Sequence, residues 1–318
     1  MRQSVLHYRT LLSDGVYSGI YGYSVARKDA NIRLSFTHGR RNSVKKKKKS
    51  LEELEREWAP IVKKALAEVE PLPPPKATFT ISARGKNPDT PVLAFLRKEY
   101  GTMPLREIDS LFGFAERSTL YGGRVFTQRE LSERDIFQLN NAGIGIRLPL
   151  SNHYVERAEY ETNLPLLEKY HRAGNYVIVT NDDLAKWIRQ DFPHYHVDAS
   201  VIKNIKSHKK IDKALELYDS VVLPMSLNED LEFLEKIEAK DRITLFANAG
   251  CALNCPSKLC YRSFSEINKG KGGEFQCSHM FKDRELTKIK DFPLQPYIDL
   301  GFKRFKLLRA RASGLTGY

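Results

Sequence analysis

Apolar residues recur at helical spacing from position 51. Leu51, Leu54, Trp58, Ile61, Val62, Leu66 and Val69 fall on one stripe behind a capping box made by Ser50 and Glu53. The spacing predicts an amphipathic helix over 51–70, about five turns long at 3.6 residues per turn. Pro71, Pro73, Pro74 and Pro75 then end it, because proline lacks the amide hydrogen that a further turn would need. Beyond residue 76 the period changes, and short β-rich runs alternate with helical ones. Strands are expected at 77–83, 144–148, 176–180, 195–200, 220–223, 243–247 and 305–308, with one more near 120–126. Helices are expected at 130–142, 164–173, 182–190, 211–218 and 229–237. Asn181 and Asp182 cap the third of these and Asn228 the last.

Eight strands separated by helices fit an α/β fold of the (β/α)8 barrel type. The other arrangement of such units is an open doubly wound sheet. It is disfavoured because no glycine-rich phosphate turn follows a strand and no Walker sequence occurs. Residues 1–75 then form a basic N-terminal extension with the helix 51–70 and the proline-rich linker, and 76–318 the barrel. Within residues 1–50 one strand is expected at 32–36, and the rest has no assigned fold.

A chain of 318 residues, 41% hydrophobic, can bury one large core or two modest ones. No apolar run reaches the ~18 residues of a membrane span, and the first residues lack a signal-peptide pattern, so a cytoplasmic location without a membrane partner is expected. Thiols stay reduced there, which turns four cysteines toward metal or redox chemistry. The net charge of +13 attracts polyanions, making RNA or other nucleic acid a candidate partner. Arg40, Arg41 and the run from Lys45 to Lys49 concentrate that charge. Such a block is either a solvated tail or a nucleic-acid contact.

In a β/α barrel the reactive groups gather where the strands end. The polar residues at those places are Arg147, Ser151, Asn152 and His153, then Thr180, Asn181 and Asp182, then Asp198, Ser200 and Asn204, then Ser226 and Asn248. Helix capping alone explains Asn181 and Asp182. The candidate catalytic residues are Arg147, Asn152, Asp198 and Asn248, with Arg147 and an asparagine binding anionic or polar groups. His196, Asp198 and Ser200 share one strand face.

The most informative segment follows the strand at 243–247. Cys251, Cys255, Cys260 and Cys277 are the only cysteines in the chain, separated by gaps of three, four and sixteen residues among Gly, Asn, Pro and Lys. Core cysteines would scatter through strands and helices, so a shared metal centre in a loop is expected. Zinc sites usually bring close Cys-x2-Cys pairs, which this spacing lacks, whereas a cubane iron–sulfur cluster is reached from four separate corners. A [4Fe-4S] cluster is the leading cofactor and Zn2+ the alternative, with His279 as a substitute ligand. The spacing also departs from the Cys-x3-Cys-x2-Cys of radical S-adenosylmethionine enzymes.

Residues 120–277 resemble the collagenase-like peptidase family U-32, and within it the iron–sulfur relatives UbiU and UbiV of oxygen-independent ubiquinone hydroxylation. Three segments carry the likeness: Gly174 to Asp182, Val197 to Ser200 followed by Asn204, and Asp219 to Pro224 leading to Asn248-Ala249-Gly250-Cys251. The resemblance implies a β/α barrel with a [4Fe-4S] cluster on the four cysteines at its catalytic end. It also implies hydroxylation of aromatic rings or RNA bases, with prephenate the oxygen donor in some relatives. The expected function is therefore an iron–sulfur oxidoreductase or hydroxylase of an RNA base or a small anionic or aromatic metabolite. The alternative is a nucleic-acid-binding or scaffold protein with a structural zinc. No serine, cysteine or metal-hydrolase constellation supports proteolysis.

Overall fold

The computed structural model describes residues 73–308, apart from 102, 254, 256, 271 and 279–288, together with 21–28, 31–38 and Arg56. The run from Lys45 to Lys49, His279 and, but for Arg56, the helix expected at 51–70 lie outside the described residues. The chain divides into two compact units, Met1–Pro73 and Pro74–Tyr318. In the first, β1 (Tyr21–Lys28) pairs antiparallel with β2 (Asn31–His38), which contains the strand expected at 32–36.

In the second unit eight parallel strands close a barrel. They are β3 (Thr78–Ser82), β4 (Ile108–Phe112), β5 (Gly145–Leu148), β6 (Tyr176–Val179), β7 (His196–Ala199), β8 (Ser220–Val222), β9 (Ile243–Phe246) and β12 (Arg304–Leu307). Closure comes from β12, which pairs in parallel with β3 on one side and β9 on the other. Between them a two-residue antiparallel ladder joins β10 (Asn248–Ala249) to β11 (Lys290–Asp291). The helices are α1 (Val92–Tyr100), α2 (Glu133–Asn141), α3 (Arg157–Thr162), α4 (Leu164–Tyr170), α5 (Asp182–Asp191), α6 (His208–Leu215), α7 (Leu231–Glu235), α8 (Cys260–Asn268) and α9 (Gln295–Asp299). Their apolar stripes cover the barrel wall, as Leu184, Ala185 and Ile188 do on α5. Each such fully buried aliphatic side chain contributes about 1.5–3 kcal/mol relative to exposure. Among the described residues no helix is long and apolar enough to cross a membrane.

The barrel is the one expected, but its second strand is not. The stretch 120–126 forms turns, and the strand lies at Ile108–Phe112. The apolar residues of 120–126 serve packing, with Leu120 and Tyr121 buried and Phe126 set against the chain after β4. Tyr121 packs 4.7 Å from Phe114 and 5.9 Å from Phe126, ring to ring. A Cβ on Gly122 would lie 2.2 Å from the Ser151 carbonyl oxygen, so only glycine permits this approach. The sequence Ile-Asp-Ser-Leu-Phe hides its alternation because a register shift opposite Phe79 and Thr80 sets two polar residues side by side.

Two further expectations change. Asn228 does not cap a helix; Asp230 does, accepting the Phe233 amide at 2.9 Å, while the buried Asn228 amide donates to the Phe246 carbonyl. Cys260, expected in a loop, is the first residue of α8.

Candidate functional site

The barrel interior is polar at its floor and midsection. Arg147 on β5 is buried. Its guanidinium pairs with Asp198, lies 2.8 Å from Asp109, donates from Nε to Ser110 Oγ at 2.6 Å and stacks 3.8 Å over the Tyr176 ring. Ser220 donates its hydroxyl hydrogen to Asp198, and Tyr176 donates to Asp109 at 2.7 Å. Burial opposes ionisation of Asp109, but the Arg147 charge and the bonds from Arg147 and Tyr176 outweigh it and hold the carboxyl below its ordinary range. Arg147 and Asp198 are thus partnered inside the barrel and are not among the residues lining its mouth. Residues at the N-terminal ends and middle of barrel strands read as stability rather than catalysis.

His196 shares this lattice. Its Nε2 lies 3.3 Å from Ser220 Oγ and 3.5 Å from Arg304 Nη2. Asp198 is 3.3 Å away, but its carboxylate is already claimed by Arg147 and Ser220. Burial first, then the charges of Arg304 and Arg147, push the imidazole down to about 4. Between the ordinary value near 6.5 and that folded value the unfolded chain binds a proton that the folded chain refuses. Stability is therefore present above pH ~6.5 and is lost as pH falls toward 4, and Asp109 extends the loss below its own ordinary range. The urea midpoint at pH 4.5 should fall below that at pH 7 by the equivalent of about 2 kcal/mol. In His196→Gln this dependence should flatten.

The two asparagines are also structural ties. Asn152 Nδ2 donates to the carbonyls of Thr119, Tyr121 and Ser265, and its Oδ1 accepts the Tyr154 amide, so it fastens the 119–121 turn to α8. Asn248 exchanges two hydrogen bonds with the Leu308 backbone and fixes the chain after β9 to the chain after β12. Neither presents an unused polar atom to a substrate.

The C-terminal ends of the strands open instead into a cavity of about 190 Å3. Cys251, Cys255, Cys260 and Cys277 all line it, each half-buried and none in a disulfide. The Lys258 amide donates to Cys255 Sγ at 3.2 Å, with Lys258 itself at φ 51°. Burial, then the charges of Cys251, Cys255 and Cys277, push the Cys260 thiol up to about 12. Among the described residues no three His, Cys, Asp or Glu side chains are grouped to hold one metal ion. The sequence reading missed the cavity's cations: Arg84, Arg124, Lys258 and Lys306 line it, and among the described residues no Asp or Glu does. Arg124 is aimed by an ion pair with Glu130, which also accepts the Phe114 amide, and by the Phe114 ring 3.9 Å beneath it. A signal for Lys306 was present, because Arg304 and Lys306 alternate with Phe305 and Leu307 and so share the inward face.

No family model matches the chain, and no curated protein matches it either. Among solved structures it is similar to one titled "The Structure of the U32 Peptidase Mk0906", at 11% identity and a TM-score of 0.50, over 77% of this chain and 96% of that one. At that identity the likeness is one of fold: the chain carries a (β/α)8-type barrel resembling that of a U32 peptidase.

Proposed function

We propose that the chain is an iron–sulfur oxidoreductase, a hydroxylase of the kind implied by its resemblance to UbiU and UbiV. In this reading Cys251, Cys255, Cys260 and Cys277 hold a [4Fe-4S] cluster beside a small anionic or aromatic substrate. One observation carries it: four cysteine thiols outside any disulfide and four cationic side chains line a single cavity at the C-terminal end of the barrel, with no carboxylate among the described lining residues. A zinc ion needs four donors gathered at about 2.0–2.3 Å around one point. A cubane instead takes one thiolate at each separate corner, which suits four cysteines spread along the wall of one cavity.

When bound, the cluster supplies electron transfer at the edge of the substrate. The chain's own groups bind and orient. Arg124 and Arg84 attract an anion, Phe112 and Phe246 keep the inner end of the cavity dry, and Ser151 and Ser200 offer hydroxyls along the wall. The net charge of +13 extends the substrate class to a base within RNA.

Anaerobically purified protein should be brown, with about four iron and four acid-labile sulfide per chain, and reduction should bleach it. Cys255→Ser should lose most of both. Colourless protein carrying one zinc per chain would overturn the reading in favour of a structural zinc in a nucleic-acid-binding or scaffold protein. Peptide turnover that persists in iron-free protein would favour hydrolysis.

A further inference from the structure

Lys306 is the most buried of the four cations in the mouth cavity. Its place follows from strand alternation. Phe305 packs outward, with Phe79 and Tyr297 at 6.0 and 6.4 Å ring to ring, which turns Lys306 into the barrel above Arg304. Its ammonium stands 4.3 Å from the Phe112 ring centre and 6.0 Å from that of Phe246. Among the described residues no carboxylate pairs with it. The charges acting on it are of its own sign, Arg147 from the barrel's midsection and Arg124 from the cavity wall.

A buried lysine with apolar neighbours and nearby cations is the arrangement that frees an amine for nucleophilic work. Burial first, then Arg147 and Arg124, push Lys306 down to about 7. A sizeable fraction is then the neutral amine at neutral pH, against roughly one in two thousand for an exposed lysine of pKa ~10.4. The two phenyl faces return part of the cost of burying the charged form without acting as counter-ions.

We propose that Lys306 is a nucleophilic amine that forms a Schiff base with a small carbonyl compound bearing a carboxylate, of which a 2-oxo acid is the simplest. The amine lone pair adds to the carbonyl carbon, so that a C–N bond forms as the C=O π bond opens. The carbinolamine oxygen leaves as water, with one proton from the amine and one from solvent, and a protonated imine remains. No oxidant or reductant is consumed. The substrate's carboxylate supplies the anion that a cavity lined by Arg84, Arg124 and Lys258, and by no carboxylate among the described residues, attracts. None of the cysteines takes part, so the inference stands apart from the cluster reading.

The test traps the imine in the full chain. Anaerobically purified protein is incubated with pyruvate and sodium cyanoborohydride, its iron content is measured on the same sample, and the adduct is located by peptide mass mapping. Reductive alkylation is expected at Lys306 at least ten-fold above exposed lysines such as Lys186 and Lys236. Equal labelling of those lysines, or none at Lys306, overturns the proposal. The wild-type map decides by itself. Lys306→Arg adds a second reading: it keeps the charge, should retain the melting curve and should lose the adduct, whereas undiminished total labelling would sink the idea. Iron-free protein that still labels at Lys306 would refute the cluster and leave the amine standing.

Discussion

Arg147→Met should lower the unfolding free energy by about 3–5 kcal/mol, a large share of the 5–15 kcal/mol typical of a domain. The cause is the partner left behind. Asp198 is fully buried, and without Arg147 its charge would keep only the Ser220 hydroxyl and the His196 ring 3.3 Å away. Asp109 suffers less, because its side chain is 26% exposed and it retains Tyr176 and Ser110. The double variant Arg147→Met with Asp198→Asn removes the stranded charge and should recover about 2 kcal/mol, since replacing a whole buried pair costs less than breaking it. Urea unfolding with unchanged slope measures both effects. A loss below about 1 kcal/mol for the single variant would mean that water already reaches Asp198, contrary to the closed lattice described above.

Asp135→Ala should cost a comparable amount, about 3–5 kcal/mol, through a different part of the fold. One carboxylate does four tasks. Oδ1 accepts the Val92 amide at the start of α1. Oδ2 accepts the Ser132 amide and hydroxyl in the capping box of α2, and it also pairs with Lys86 Nζ at 2.8 Å. Lys86 is itself buried, so alanine leaves an ammonium with only the Asn87 carbonyl. Cap loss alone is worth about 1 kcal/mol, and the stranded cation supplies the rest. Adding Lys86→Met should restore more than half of the loss. Because Lys86 sits in the same turn as Arg84, the single variant should also raise the amide exchange rate of that turn, which hydrogen exchange reports. Thermal and urea midpoints equal to wild type would show that the pair is not closed to solvent.

These two clusters mark the limit of what the sequence discloses. The runs Tyr-Val-Ile-Val on β6, Ser-Val-Val on β8 and Ile-Thr-Leu-Phe on β9 announce a parallel sheet because their residues are buried on both faces. β4 stays hidden because its inward residues serve a charged interior rather than an oily one, and polarity at consecutive positions cancels the expected period. Of the polar residues taken from strand ends, Ser151 and Ser200 line the cavity, while Arg147 and Asp198 lie below it. The hydrogen bonds of Asn152 and Asn248 go to backbone, which no linear pattern reveals. The cysteines were legible as a group from spacing alone, and the cavity gathers all four. That Cys260 opens a helix was not legible, because a proline and a lysine precede it. Of the cations that face them, Lys258 lies in the cysteine segment itself, while Arg84, Arg124 and Lys306 come from distant turns and from the last barrel strand, so only the closed fold assembles the set.

The lattice of Arg147, Asp109 and Asp198 has one more consequence. It fills the tube from below, so among the described residues the barrel opens to a ligand at its cysteine-bearing end. Under the proposed function, substrate and electron donor would share that one rim, and a partner docked across it would shut out both.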